Sequence, residues 1–108
     1  MAGIVNDERQ VKGGRRRMGR NEQIAWQVVT TAWGSGPENP ACTLWDVTDN
    51  DWTDVSADCL AGSASADGDV VTTPYVLGLT PGHLYRLEVQ FTCSGNVFEA
   101  YLEIQGEQ

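Results

Sequence analysis

The side chains best suited to chemistry are basic and crowd the N-terminus. Six of the seven Lys and Arg residues fall within the first 20 positions, whereas the rest of the chain has 13 of the 15 acids and a single base, Arg86. Guanidinium groups bind carboxylates and phosphates, so this cluster suits an acidic partner. We therefore predict a partner-binding arm whose contact residues are Arg9, Lys12, Arg15, Arg16, Arg17 and Arg20.

This basic arm has three interpretations. It reaches an acidic surface on another subunit or on a second copy, for which the acidic body of the same chain is a ready partner. It binds nucleic acid through phosphates. Alternatively it is a solvated tail, since its four glycines and few large apolar groups predict no stable structure in isolation. Nucleic acid is disfavoured because residues 1–21 contain no aromatic side chain to stack on a base.

The acidic side chains crowd into a stretch that contains Asp46, Asp49, Asp51, Asp54 and Asp58. Alternating carboxylates can bind Ca²⁺, but the EF-hand pattern fails because its required Gly and Glu are missing. We interpret this Asp-rich stretch as a solvated loop, with a weak calcium site as the alternative. We expect no bound metal and no cofactor.

Nucleophiles and bases are sparse and form no catalytic motif. The only histidine is His83, and Cys42, Cys59 and Cys93 are not spaced as zinc ligands. The patterns of serine hydrolases, zinc proteases and phosphate-binding loops are missing, so we predict a protein that is not an enzyme. The cysteines are expected to be reduced thiols, at least two of them buried, with a Cys42–Cys93 bridge across two sheets as the alternative.

Beyond residue 21 the sequence pattern is that of short β-strands separated by turns. Apolar and polar residues alternate along two closing strands, 84–93 and 97–105, which Ser94-Gly95-Asn96 joins as a hairpin. Further strands are predicted at 24–31, 42–47 and 70–77, with weaker ones at 62–66 and within 49–61. About seven short strands favour an antiparallel β-sandwich, with an arm at 1–21 and a sandwich domain at 22–108.

The four tryptophans differ in their neighbours. Trp26 and Trp45 lie in predicted strands and are expected in or near the core. Trp33 precedes Gly34-Ser35-Gly36, and Trp52 lies in the Asp-rich stretch. Trp33 and Trp52 are therefore the candidates for exposed contact residues.

The turn before the first closing strand resembles a known structural corner. Pro81-Gly82 forms the turn, and Tyr85 stands just inside the strand that follows. This segment is similar to the tyrosine corner of fibronectin type III and other immunoglobulin-like sandwiches, in which the tyrosine hydroxyl bonds to the backbone upstream. The resemblance implies an all-β, immunoglobulin-like fold, but that fold has many functions.

Three stretches also resemble small immunoglobulin-like proteins encoded among the structural genes of tailed bacteriophages. They are residues 62–74, residues 78–85 and the hairpin from Phe91 to Ile104. The resemblance implies a virion structural protein that decorates the head or acts as an adaptor at the head–tail junction or tail. Its partners would be other virion proteins and copies of itself, bound through the sandwich and the arm.

The location and the alternatives follow from the same features. The N-terminus lacks the apolar stretch of a signal peptide, and no apolar run is long enough to cross a membrane. We expect a virion protein assembled in the host cytoplasm, without a membrane partner. The alternatives are a carbohydrate- or protein-recognition module that uses Trp33 and Trp52, and a nucleic-acid tether that uses the arm.

Overall fold

The computed structural model describes residues 9–108, which form two packed β-sheets. Strands make up most of this part of the chain, and the single helical turn is four residues long. In chain order the elements are β1 (Arg16–Gly19), β2 (Gln23–Val29), β3 (Glu38–Asp46), β4 (Thr53–Asp54), α1 (Ser56–Cys59), β5 (Leu60–Ala61), β6 (Ser65–Asp67), β7 (Val70–Leu77), β8 (Leu84–Cys93) and β9 (Asn96–Glu107).

The larger sheet has five strands in the order β1-β9-β8-β3-β4. Its centre is the β8–β9 hairpin, where Ser94 and Gly95 both have positive φ, 51° and 83°. Two successive positive φ values are typical of a type I′ turn, whose twist matches that of the flanking strands. The predicted hairpin is confirmed.

The smaller sheet has β2, β7 and β5 in that order, with β6 also paired to β7. The strand predicted at 70–77 coincides with β7, and the one predicted at 84–93 coincides with β8. Within residues 9–108, β2 is an edge strand that pairs with β7 alone. This edge lies next to β1, because only residues 20–22 separate β1 from β2.

The core lies between the sheets and is built by the alternation seen in the sequence. Along β8 the inward side chains, every second residue from Tyr85 to Cys93, are all buried. The residues between them, which begin with Arg86, face outward. The largest fully buried side chains are Met18, Val28, Thr30, Leu44, Val71, Val76, Leu87, Val89, Phe91, Leu102 and Ile104. The prediction of strands packed on one core is confirmed.

The tyrosine corner has its expected geometry. The Tyr85 hydroxyl accepts a hydrogen bond from the backbone N–H of Thr80 at 2.9 Å, across the turn at Pro81-Gly82. Gly106 of β9 packs directly against this turn, since a Cβ at Gly106 would collide with the Thr80 carbonyl oxygen. The corner therefore joins the turn to the end of the last strand.

The fold is an all-β, immunoglobulin-like sandwich, as predicted, but it is not wholly antiparallel. Three central strands, β9, β8 and β3, face the β2–β7 pair, which is the arrangement of immunoglobulin-like domains. The added edge strand β1 runs parallel to β9, with Arg16 opposite Ile104 and Gly19 opposite Glu107. This strand lies inside the segment that we expected to be an arm.

The predicted boundary between arm and sandwich at residue 21 is therefore wrong for residues 10–19. Gln10 bridges to Tyr101, β1 pairs with β9, and Met18 is fully buried in the core. Burial of the Met18 side chain and the hydrogen bonds between β1 and β9 offset the conformational entropy that this segment loses when it becomes ordered. Residues 1–8 of the predicted arm lie outside the described residues.

Two other boundaries differ from the sequence-based expectation. The strand predicted at 42–47 begins earlier, because β3 already begins at Glu38, with a bulge between Glu38 and Ala41. The Asp-rich stretch contains the helical turn α1 as well as a short strand.

In the described part of the chain, no helix is long and apolar enough to cross a membrane.

Candidate protein-binding surface

The run of three arginines in the N-terminal segment is divided by the pleat of a strand. Arg15 and Arg17 lie on the outer side, where Arg15 Nε is 3.6 Å from Glu103 and Arg17 Nη1 is 3.0 Å from Glu107. Arg16 alternates with them and donates hydrogen bonds to the carbonyls of Lys12 and Gly14. The three guanidinium groups therefore do not form one contact patch.

Arg9 is also bound to its own domain. Its guanidinium lies 3.4 Å from Glu88 and 3.6 Å from Glu99, and its Nε donates to the Glu99 carbonyl. The backbone on either side of Gln10 pairs with Tyr101, through Val11 N–H and Arg9 C=O. The outward acids of β9 thus pair with three of the six residues that were expected to bind a neighbour, Arg9, Arg15 and Arg17.

Three of the six predicted arm contacts have no such carboxylate. Across residues 9–108, no acid lies within ion-pair distance of Lys12, Arg16 or Arg20. Exposed ion pairs of the Arg15 and Arg17 kind contribute only about 0–1 kcal/mol each. Lys12, Arg16 and Arg20 therefore have no carboxylate to leave before they bind a partner, and Arg15 and Arg17 would leave only weak ion pairs.

The outer face of the five-stranded sheet has a second feature, which we name the Arg86 stack. It comprises Trp45, Trp52, Arg86 and Tyr101. The Arg86 guanidinium lies 3.6 Å from the centre of the Tyr101 ring and 5.0 Å from that of Trp52, and its Nε donates to Glu88 at 3.1 Å. The Trp45 and Trp52 rings are 5.8 Å apart.

Strand register brings the stack together. Arg86 of β8 stands directly opposite Trp45 of β3, and its outward neighbour Glu88 stands opposite Tyr101 of β9. Trp52 is added by the loop that precedes β4, whose two residues pair with the end of β3. Guanidinium groups stacked on aromatic rings are favourable even at exposed sites, by about 0.5–1 kcal/mol per contact.

The two tryptophans predicted to be exposed have different outcomes. Trp52 is 49% exposed, which confirms the prediction. Trp33 is half-buried: its ring packs edge-on against Phe91, with centroids 6.0 Å apart. The neighbouring Gly34 permits this, because a Cβ there would collide with Cys93.

The contacts among Arg86, Tyr101 and Trp45 on the sheet surface were not predicted from the sequence. The signal was available in the alternation of the two closing strands, which places Arg86 and Tyr101 on their outward faces. What the sequence did not show was the register between strands, which decides that these residues meet.

The Asp-rich stretch is organised by local hydrogen bonds. Asp54 Oδ1 accepts the backbone N–H of Ser56, and hydrogen bonding to the side chain and then to the backbone N–H of Ser56 lowers the pKa of Asp54. The Ser56 hydroxyl in turn accepts the backbone N–H of Leu44 at 2.9 Å. Among residues 9–108, no three His, Cys, Asp or Glu side chains come together as a metal site would require.

His83 and Asp46 form the only pair of a histidine and a carboxylate among residues 9–108. His83 Nδ1 donates to Asp46 Oδ2 at 2.7 Å, and Thr48 donates both its N–H and its hydroxyl to Asp46 Oδ1. Burial acts to raise the pKa of Asp46, but these hydrogen bonds outweigh it and the pKa is lowered. The Thr48 hydroxyl donates to Asp46 and does not face His83, so it lacks the geometry of a nucleophile activated by a base. Asp46, Thr48 and His83 instead hold the loop after β3 in place.

The three cysteines are free, and two of them, Cys59 and Cys93, are buried, as predicted. Burial raises the pKa of Cys42 to about 12, so its thiol is a poor nucleophile at neutral pH. The alternative bridge is excluded by register, because Cys42 pairs with Val89 and Cys93 lies four residues further along the same strand. That separation is roughly 13 Å, about twice the Cα distance of a disulfide.

No protein-family model matches the chain, and no curated protein matches it significantly.

Proposed function

We propose that this protein is a non-enzymatic structural subunit of a virion that binds neighbouring subunits through its sandwich. The observation that carries the proposal is the Arg86 stack. Trp, Tyr and Arg are the residues most enriched in the energetic centres of protein interfaces. Trp52 is 49% exposed, so its ring is open to contact with a partner.

The stack is organised before any partner arrives. Arg86 is held between the Trp52 and Tyr101 rings and by Glu88, and its side chain is only 18% exposed. A partner therefore need not immobilise a free arginine, which lowers the entropy cost of binding. The rigid five-stranded sheet presents the stack as one surface.

The virion role is supported by the resemblance to small immunoglobulin-like proteins of tailed bacteriophages. That resemblance was made on residues 62–74, residues 78–85 and the Phe91–Ile104 hairpin, and the second of these stretches contains the tyrosine corner. The proposed location is the particle, as a head decoration or as an adaptor at the head–tail junction or tail. The proposed partners are other virion proteins and copies of this chain.

Occupancy on purified particles tests the proposal. Virus particles whose genome encodes this chain are purified from a lysate by density gradient. The amount of the chain relative to the major shell protein is then measured by mass spectrometry. Wild type is expected at a fixed ratio, and Trp52→Ala is expected at least tenfold below it.

Tyr75→Ala is the matched control, because Tyr75 is 48% exposed on the opposite sheet. It should bind particles as wild type does. Absence of the wild-type chain from particles, or equal occupancy of Trp52→Ala and wild type, would contradict the proposal.

The exposure of Trp52 also supports a second candidate, a carbohydrate-recognition module. Exposed tryptophans stack on sugar rings, and one side of Trp52 faces Arg86. A glycan array distinguishes the candidates: Trp52-dependent binding of a glycan, without incorporation into particles, would favour recognition over assembly.

A further inference from the structure

The two edges of the five-stranded sheet have opposite charge. β1 and the segments on either side of it contribute Lys12, Arg16 and Arg20, which have no acidic partner among the described residues. The opposite edge, β4, follows a loop at residues 47–52. That loop together with α1 contributes Asp49, Asp51 and Asp58, which have no basic partner among residues 9–108. Four strand spacings, roughly 19 Å, separate the edges.

The basic edge has a cleft, which we name the basic cleft. It has a volume of about 440 Å³, within the usual range for binding pockets. It lies between the N-terminal segment and β2, and the residues that line it include Val11, Lys12, Arg16, Val29 and Trp33. Two of its lining residues are cations, none is acidic, and Val29 is 61% exposed. The cleft thus combines apolar side chains with positive charge, in a chain whose net charge is −8.

The acidic edge has a projection of complementary character. Trp52 stands half-exposed at the end of the loop at residues 47–52, near Asp49, Asp51 and Asp54 in sequence. That loop contains no Lys or Arg, and the cation that lies over one side of the Trp52 ring, Arg86, is paired with Glu88. A large apolar side chain near carboxylates matches a cleft lined by apolar side chains and two cations, both in polarity and in sign of charge.

Resting on the proposed function, we propose that one of the neighbouring subunits is a second copy of this chain, whose Trp52 loop occupies the basic cleft. Because the loop and the cleft lie at opposite edges of one sheet, each copy would offer its loop to the next copy and its cleft to the previous one. Such a head-to-tail contact forms a ring where the rotation closes and a filament where it does not.

The contact is small and is expected to be weak for a single pair. One tryptophan and a few exposed charges bury much less than a standard interface, so purified protein should associate only at high concentration and low salt. On a particle, repetition of the contact and attachment to the shell raise its effective strength. Self-association therefore adds order among neighbours and does not replace binding to the shell.

Two complementary variants test the proposal. Val29→Glu blocks the cleft, and Trp52→Ala removes the loop's apolar side chain. In sedimentation velocity at about 0.05 M salt, wild type should form species beyond the dimer as its concentration rises. Each variant alone should remain at the 11.8 kDa of one chain, with association weakened at least tenfold.

The mixture of the two variants gives the sharpest result. Val29→Glu retains an intact loop and Trp52→Ala retains an intact cleft, so an equimolar mixture has one working contact. It should stop at twice the mass of one chain. Val97→Glu and Tyr75→Ala are the controls, because Val97 and Tyr75 are as exposed as the tested residues but lie elsewhere, and both should associate as wild type does.

The outcomes separate this inference from the proposed function. Monomeric wild type at every concentration, or a mixture that assembles no better than either variant alone, would overturn self-association. If particle occupancy still depended on Trp52, the virion role would stand and its partner would be another protein. Self-association without incorporation into particles would support this contact and contradict the virion role.

Discussion

The two edges of the five-stranded sheet are held in different ways. The β1 edge is anchored in the core by fully buried Met18 and by the parallel ladder to β9. The β4 edge has only two paired residues, and it depends on Ser56, Asp54 and the contact between Trp45 and Trp52. Core burial stabilises the β1 edge, whereas local hydrogen bonds and ring contacts hold the β4 edge and leave an aromatic surface exposed. Position along the sequence is therefore a poor guide to role, since the N-terminal segment is structural and the internal loop before β4 is the exposed element.

The largest expected effect comes from removing the anchor of the β1 edge. Met18→Ala leaves a cavity in the core and should lower the free energy of unfolding by about 2–4 kcal/mol. Urea denaturation followed by tryptophan fluorescence measures this. Met18→Leu conserves volume and should cost less than about 1.5 kcal/mol. An unchanged midpoint for Met18→Ala would mean that β1 is not anchored by its side chain, and the contrast between the edges would fail.

A smaller effect is expected at the β4 edge. Ser56→Ala removes the acceptor for the backbone N–H of Leu44, a residue that is fully buried. Leaving a partly buried N–H without a partner costs about 1–3 kcal/mol. The free energy of unfolding should fall by this amount, and exchange of the Leu44 amide should accelerate.

Ser65→Ala, an exposed serine of β6, serves as the control for that change and should alter stability by less than about 0.5 kcal/mol. If Ser56→Ala and Ser65→Ala behaved alike, the β4 edge would be held by its rings alone.

The β3–β4 side should also respond to acid. The folded pKa of Asp46 is below its ordinary value of 3.8, so its hydrogen bonds contribute stability that is fully present above that value. This stability is lost as the pH falls through the lower folded pKa, when Asp46 is protonated. Asp46→Asn should reduce the loss of stability between pH 5 and about pH 2, measured by urea denaturation at each pH. A variant with the same acid dependence as wild type would remove Asp46 from this account.

The sequence was sufficient for the central strands of the sandwich and insufficient for β1 and for the surface. Alternation along residues 84–105 predicted the hairpin, its turn and its inward residues, because a period of two with one apolar face has few other solutions. The tyrosine corner was predictable because Pro81, Gly82 and Tyr85 lie close together in the chain. These features are local, or depend on strands that follow one another directly.

The placement of β1 could not be obtained in that way. A four-residue parallel strand has no turn to fix its register, and Met18 is its one fully buried side chain. A usable signal did exist in the outward acids of β9, since Glu99, Glu103 and Glu107 recur at every fourth residue and face the arginines of the N-terminal segment. Charge complementarity within one chain was as good a reason to expect folding back as it was to expect a neighbour.

The smallest expected effect concerns those ion pairs. Arg17 and Glu107 are 60% and 46% exposed, so Glu107→Gln should lower the free energy of unfolding by less than about 0.5 kcal/mol. The change should instead appear locally, as faster amide exchange in β1 at low salt and no difference at about 0.5 M salt, where exposed charges are screened. If Glu107→Gln matched Met18→Ala in its cost, the ion pairs would be the anchor of this edge and burial would not be. A cost confined to low salt would show that arginines can leave β9 readily when a second acidic surface competes, while Met18 keeps the strand in the sheet.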